Sequence, residues 1–171
     1  MWEWQEGVPA VDLSQTVRDV RGRPVDDLRS DEDLDAWLES QEDRVPPLEP
    51  GERDVAAWRS LREAITAAFE AALAGQSLPI QAVEHINACA GPVVPQLRDG
   101  RREYVPCGAL AAVAASAIEI LGTETRERLR FCAAPSCGMY YLGHRADQQW
   151  CSPACGTRAR VARHAARSRR G

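Results

Sequence analysis

The 171-residue sequence contains no lysine. Apart from histidine, every basic side chain is therefore a guanidinium, the group suited to bidentate recognition of phosphate and guanine. A GC-rich coding bias accounts for the same absence. Long apolar runs are also missing. The richest, Ala109–Ile118, contains Ser116 and is cut short by Glu119, well below the roughly 18 residues of a membrane span. The opening MWEWQEG is acidic and lacks a basic segment followed by an apolar one, so it does not read as a signal peptide. The chain is expected in the cytoplasm, with no membrane partner. A CxxC pair, a nucleophile elbow, a phosphate-binding loop and an HExxH motif are all lacking, and the chain is read as a non-enzyme.

What is present is strongly polarised. The formal net charge of −4 conceals two halves of opposite sign. Residues 126–171 hold ten arginines against Glu127 and Asp147, whereas residues 1–125 hold eleven arginines against 23 acidic residues. An acidic body with a basic tail suggests a nucleic-acid or acidic partner. A boundary near residues 123–130 fits this shift and divides the chain into 1–125 and 126–171. The body is expected to have its own core.

That body reads as mainly helical. Ser30 precedes an apolar face of Leu34, Trp37 and Leu38, with Asp33 three residues on, in the manner of a capping box. Three prolines and a glycine between 44 and 52 break the chain. The spacing of Val55, Trp58, Leu61, Ile65, Phe69 and Leu73 predicts a long helix over about 53–74, with one buried stripe. A shorter helix is predicted after Pro79. Asp99-Gly100 marks a β-hairpin, and the almost wholly apolar run 108–121 predicts a central helix. The fold class is mainly α, with minor β structure (α+β).

Four of the six cysteines, Cys132, Cys137, Cys151 and Cys155, fall within 24 residues. Zinc in a structural site takes four such ligands, often as two local pairs, and reducing surroundings favour metal over disulfides. Four buried free thiols or a redox pair are the alternatives. Residues 139–150 are expected to form a hairpin, with Met139–Leu142 as one strand and Gln148–Trp150 as its return. His144 in its turn is an alternative ligand. Cys151 and Cys155 are expected one turn apart at a helix start, giving a knuckle, a hairpin and a helix in a treble-clef-like zinc finger. Cys89 and Cys107 stand alone and read as core thiols.

The helix after Cys155 carries Arg160, Arg163, Arg167 and Arg170 within one arc of roughly 80°. Val161, Ala162, Ala165 and Ala166 lie on the other side, and Arg158 points back toward the cysteines. The stripe suits DNA, and a solvated charged tail is the plainer reading. In the body, Gln15, Thr16, Arg62 and Asn87 are polar residues within apolar segments and candidates for binding a small-molecule effector. Glu84, His85 and Asn87 on one helix read as its wet face.

The segment RLRFCAAPSCGMYYL…RADQQWCSPACGTRARVARHAAR resembles the CGNR zinc finger, with Cys155-Gly156-Thr157-Arg158 at the naming motif, where threonine replaces asparagine. The opening VDLSQTVRDVRGRPVDDLRSDEDLDAWL, with SLREAI and HINACAGPVVPQL, resembles the ABATE domain. Its usual Asn-Thr pair is Gln15-Thr16 here. The resemblance implies a stress-induced transcriptional regulator in which one structural Zn²⁺ orders a DNA-binding module. The body would sense an effector or hold a homodimer together. Binding of RNA or protein by the zinc module, without DNA recognition, is the alternative.

Overall fold

The computed structural model describes residues 7–19, 23–49 and 51–168. The long stripe forms a helix, numbered α3 in chain order, over Val55–Leu73. Trp58, Leu61, Ile65 and Phe69 are fully buried on it. Asp54 caps its start by accepting from the Ala56 amide at 2.9 Å, which satisfies one of the donors a helix leaves open. Around it lie α1 (Pro9–Ser14), α2 (Asp31–Glu39), α4 (Ile80–Ala90) and α5 (Ala109–Gly122). The architecture is mainly helical with small hairpins, as the sequence predicts. Among the described residues no helix is long and apolar enough to cross a membrane.

Ser30 caps α2 by accepting from the Asp33 amide at 3.3 Å. The Asp33 carboxylate reaches back to the Arg29 amide at 3.0 Å, one residue earlier than in a capping box. Helix α5 packs against α1, α3 and α4, with Val113, Ala114 and Ala117 completely covered. Its first turn has no local side-chain cap, because Gly108 occupies the N-cap position. Glu52, 57 residues before Ala109, supplies the acceptors. Its carboxylate takes the Ala109 and Leu110 amides at 3.0 Å each. A negative group at a helix N-terminus also opposes the helix dipole favourably. Gly108 is required for this contact: its φ is +96°, and a Cβ there would lie 2.4 Å from the Glu52 carboxylate.

Three antiparallel hairpins complete the fold. Strands β3 (Val93–Arg98) and β4 (Arg101–Pro106) turn at Asp99 and Gly100, both with positive φ, as predicted. Strands β1 (Val17–Asp19) and β2 (Pro24–Asp26) form a hairpin not anticipated from sequence. It delivers Asp26 to α3, where Arg62 donates to both carboxylate oxygens at 2.7 Å and to Thr16 Oγ1 at 2.9 Å. Burial works against the charged Asp26. The Arg62 fork and the Leu28 amide more than offset it and hold the carboxyl below its usual range.

The third hairpin corrects the sequence expectation for residues 139–150. Strand β6 (Tyr140–Leu142) pairs with β5 (Leu129–Phe131), and not with Gln148–Trp150. Residues 144–150 form a loop instead, pinned by the Tyr141 hydroxyl donating to the Gln148 carbonyl at 2.8 Å. The physical reason is that Leu129 has a buried destination. It joins Tyr140 and Leu142 in the core cluster built on α3 and α5. The 3₁₀ turn Glu124–Arg128 leads into this strand, so one apolar core extends across the expected boundary at 125/126. Cys89 is half-buried, but Cys107 is exposed in the turn before α5, contrary to its reading as a core thiol.

Two substitutions test these long-range polar contacts. Asp26→Asn removes the partner of an Arg62 side chain that is only 5% exposed. The expected loss is about 2 kcal/mol, below that of a fully buried pair because the Asp26 side chain is 35% exposed. Because the folded pKa is depressed, the wild type should keep this stabilisation above the unfolded carboxylate pKa. It should lose it as pH falls through the folded value, below about 4. Urea unfolding at several pH values reads both effects, and a variant with unchanged acid sensitivity would contradict the assignment. Glu52→Ala should cost about 1.5–3 kcal/mol by stranding the α5 amides, measured by the same unfolding curves.

Candidate metal centre

Each half of the cysteine site is formed by local backbone geometry. The β5–β6 hairpin carries Cys132 just past β5, its amide bonded to the Met139 carbonyl at 2.9 Å. The tip between them is a tight turn in which the Cys137 amide donates to the Ala134 carbonyl at 3.2 Å. Ser136 and Gly138 there have φ of +55° and +69°. Positive φ at both places bends the chain so that Cys132 and Cys137 face the same way. The second pair straddles the start of α6 (Pro153–Ser168), with Cys151 two residues ahead of it and Cys155 in its first turn.

All four sulfurs lie within 4.8 Å of one another. The Cys137–Cys151, Cys151–Cys155 and Cys155–Cys137 separations are 3.7, 3.5 and 3.6 Å. Four sulfurs about 2.3 Å from a tetrahedral centre stand about 3.8 Å apart, so the set has the dimensions of a zinc site. A disulfide needs about 2.05 Å, and all six cysteines are free. His144 is exposed in the loop and is not among these ligands.

The surroundings act on the thiols in opposite directions. Burial pushes the Cys137 thiol up to about 12 and raises Cys151 as well. For Cys155 burial acts in the same direction, but hydrogen bonding to Ser152 and to the neighbouring cysteines brings the net value below the ordinary thiol. Zn²⁺ with four thiolates carries a formal charge of −2. Arg158 lies against it: Nη2 donates to Cys155 Sγ at 3.3 Å, and Nη1 to the Pro135 and Ser136 carbonyls at 3.3 Å each. This is the inward direction the sequence predicts for Arg158. The Cys151 amide donates to Cys132 Sγ at 3.4 Å. A four-sulfur site leaves no open position for water or substrate, so the ion is structural.

Arg160, Arg163 and Arg167 are exposed along α6, and Arg170 lies outside the described residues. The opposite side is not packed either, since Val161 is 64% exposed and only Cys155 and Ala159 are buried on this helix. The helix therefore projects from the module. A cleft of about 580 Å³ opens beside its first turns, lined by Trp150, Gly156, Arg160, Arg163 and the 144–149 loop. The Arg163 guanidinium stands 6.0 Å from the Trp150 ring centroid, within reach of a cation–π interaction. Gly156 gives room for that ring, because a Cβ there would come within 3.0 Å of Trp150. This explains the glycine of the naming motif directly after the last ligand, whose packing role against Trp150 the sequence does not reveal.

The candidate effector residues divide. Gln15, Thr16 and Arg62 are buried and engaged internally, with the Gln15 amide donating to the Tyr140 carbonyl at 2.8 Å. Asn87 is exposed on α4 and takes no part in that network, as is Glu84.

Taken together, the fold and its sulfur cluster define a helical protein that ends in a structural four-cysteine zinc finger. Residues 128–168 match the CGNR zinc finger. Residues 7–124 match the ABATE family, whose description is "Putative stress-induced transcription regulator". The chain belongs to the ABATE family and carries a CGNR zinc finger. No curated protein matches it.

Protein prepared without chelator should contain about one zinc per chain by elemental analysis, and Cys137→Ser or Cys155→Ser should abolish it. Zinc added to metal-free protein at neutral pH should release about two or more protons per ion, since thiols with raised pKa values enter as acids. Apparent affinity should therefore fall as pH is lowered, and proton-neutral binding would exclude thiolate ligation.

Proposed function

We propose that this protein is a DNA-binding transcription regulator of the cytoplasm, in which the zinc module presents α6 to the phosphate backbone. One observation carries the reading: Arg160, Arg163 and Arg167 stand exposed on a helix whose buried side chains, Cys155 and Ala159, are confined to its first two turns. Such a helix has no core of its own to cover, and its charge is free to meet an external anion. Fixed charge at one end of a rigid module gives binding that is electrostatic first and sequence-selective second. The family description supports the regulatory part. On this reading the protein is not an enzyme, and the helical body serves to sense an effector or to hold a homodimer together.

A second reading draws on the Trp150 cleft. An aromatic wall beside Arg160 and Arg163 suits a base stacked out of a single strand, which would favour RNA or unpaired DNA over a duplex. Binding of a protein partner would need neither the ring nor the charge stripe.

The two are separated by salt titration against mixed-sequence duplex and single-stranded oligonucleotides. If the four arginines meet duplex phosphates, the log–log slope should be roughly −3 to −4, with a change of about one for each Arg→Ala replacement in the stripe. Trp150→Ala should weaken single-strand binding far more than duplex binding if the cleft holds a base. Equal losses from every arginine, including Arg169, would reduce α6 to a solvated tail. A flat salt response would remove nucleic acid from the function.

A further inference from the structure

A second cavity, of about 500 Å³, lies between the helical body and the zinc module. We propose that it binds a small organic cation with a flat apolar group, such as an arylalkyl amine or guanidine. This deepens the effector part of the regulator reading, although the binding itself does not require that reading to hold.

The two sides come from different parts of the chain. Glu63, Thr66 and Glu70 project from one face of α3, at the i, i+3 and i+7 spacing that aligns side chains. Opposite them stand Phe131 of β5, Tyr140 of β6 and Gly138 of the cysteine turn. Phe131 is 49% exposed, an unusual state for a phenylalanine beside a core. Its ring packs on Tyr140 with centroids 5.3 Å apart, and Tyr140 packs on buried Phe69 at 5.5 Å. The exposed aromatic is thus the outer member of a chain rooted in the core, held in place with a surface turned to the cavity. The volume lies in the range of small-molecule sites.

Charge selects the ligand class. Arg62 and Arg18 also line the cavity, but both are committed. Arg62 holds Asp26 and Thr16, and Arg18 holds Asp27. Among the described residues no basic side chain pairs with Glu63 or Glu70. The Tyr140 hydroxyl is, among the described residues, the one side-chain donor to Glu70, at a long 3.4 Å. The uncommitted charges are therefore both negative, and they face aromatic rings whose π-surfaces also attract cations. An anion would meet two carboxylates, while a neutral aromatic would use only half of the site.

The position gives the ligand leverage. Because both sides must be present, the cation binds only when β5–β6 is seated on α3, and by linkage it stabilises that seating. The zinc module and α6 are continuous with the seated hairpin, so their orientation on the body is what the ligand would bias.

The test uses zinc-loaded, full-length protein and three matched probes: phenethylamine, 2-phenylethanol and 3-phenylpropionate. Amide chemical-shift titration should show phenethylamine binding at residues 63–70, 131 and 138–140, at least about tenfold more tightly than either other probe. The Glu63→Gln/Glu70→Gln double variant, both positions being exposed, should fold normally and lose about tenfold or more of that affinity. Phe131→Ala should lose binding of the same probe with zinc retained. Equal affinity for all three probes, shifts elsewhere on the surface, or unchanged binding by the double variant would overturn the proposal. DNA binding measured without probe is a separate readout. A protein that binds phenethylamine here but not DNA keeps this site and loses the regulator reading. One that binds DNA and gives no probe shift loses this site alone.

Discussion

The strand Tyr140–Leu142 is the constraint on which the rest of the molecule depends. Its three residues are all buried, yet on different sides. Tyr140 and Leu142 enter the core with Phe69, Leu13 and Val113, whereas Tyr141 enters the smaller cluster with Cys132, Cys137, Met139 and Cys155. Alternation is a property of any extended chain, but here the two faces belong to two cores. One three-residue strand therefore fastens the metal centre to the helices. The Gln15 amide bonded to the Tyr140 carbonyl adds a buried polar contact to the same strand. Burying Leu129, Tyr140 and Leu142 is worth roughly 1.5–3 kcal/mol for each side chain before the entropy of ordering the hairpin is set against it.

What docking alone does not supply is the arrangement of the sulfurs. Around the cysteines the apolar cluster is small, and burial raises the Cys137 and Cys151 thiols. Burial therefore favours the protonated form of Cys137 and Cys151, so these two sulfurs need a cation to enter as thiolates. Zinc changes the sign of that argument: a coordinated thiol is deprotonated outright, and the resulting negative charge gives Arg158 and the Cys151 amide their purpose. Of the arginines near the site, Arg145 is turned to Asp147 at 3.8 Å and Arg130 to backbone carbonyls, leaving Arg158 as the cation that touches sulfur.

The longer helices and the ligand set were legible in the sequence because their signals are local, whereas the short α1 (Pro9–Ser14) was not anticipated. Trp58, Leu61, Ile65 and Phe69 repeat at helical spacing, and the cysteines come in two short pairs. The contacts that hold these pieces together are not local. Glu52 reaches α5 across 57 residues, and Arg62 reaches Asp26 across 36. In sequence Glu52 is one more acid in a proline-rich breaker. The strand Leu129–Phe131 was hidden in the same way. Arg130 lies within it and Arg128 directly before it, so the segment read as a charged boundary, and the β6 partner was sought among residues 148–150 instead. Asn87 is polar in an apolar-looking segment because that face of α4 meets solvent, which sets it apart from the buried Gln15, Thr16 and Arg62.

The link between the zinc centre and the charged helix runs through one turn of backbone. Cys155 is at once a ligand and a first-turn residue of α6, and Ala159, one turn later, is the last buried side chain on that helix. Gly156 next to the ligand lets the Trp150 ring lie against the helix, and that ring in turn stands under Arg163. On the same turn Arg160 donates to Thr157 Oγ1 at 2.9 Å, the position where the naming motif has asparagine. A side-chain oxygen at residue 157 is thus retained, and the arginine it steadies remains on the cleft side. Long arginines carry considerable rotamer entropy, so each contact that narrows their range before binding lowers what an anionic partner must spend to order them. The metal fixes the first turn, and the first turn fixes the direction of Arg160 and Arg163. Arg167, beyond the last buried side chain, is held only by the helix itself.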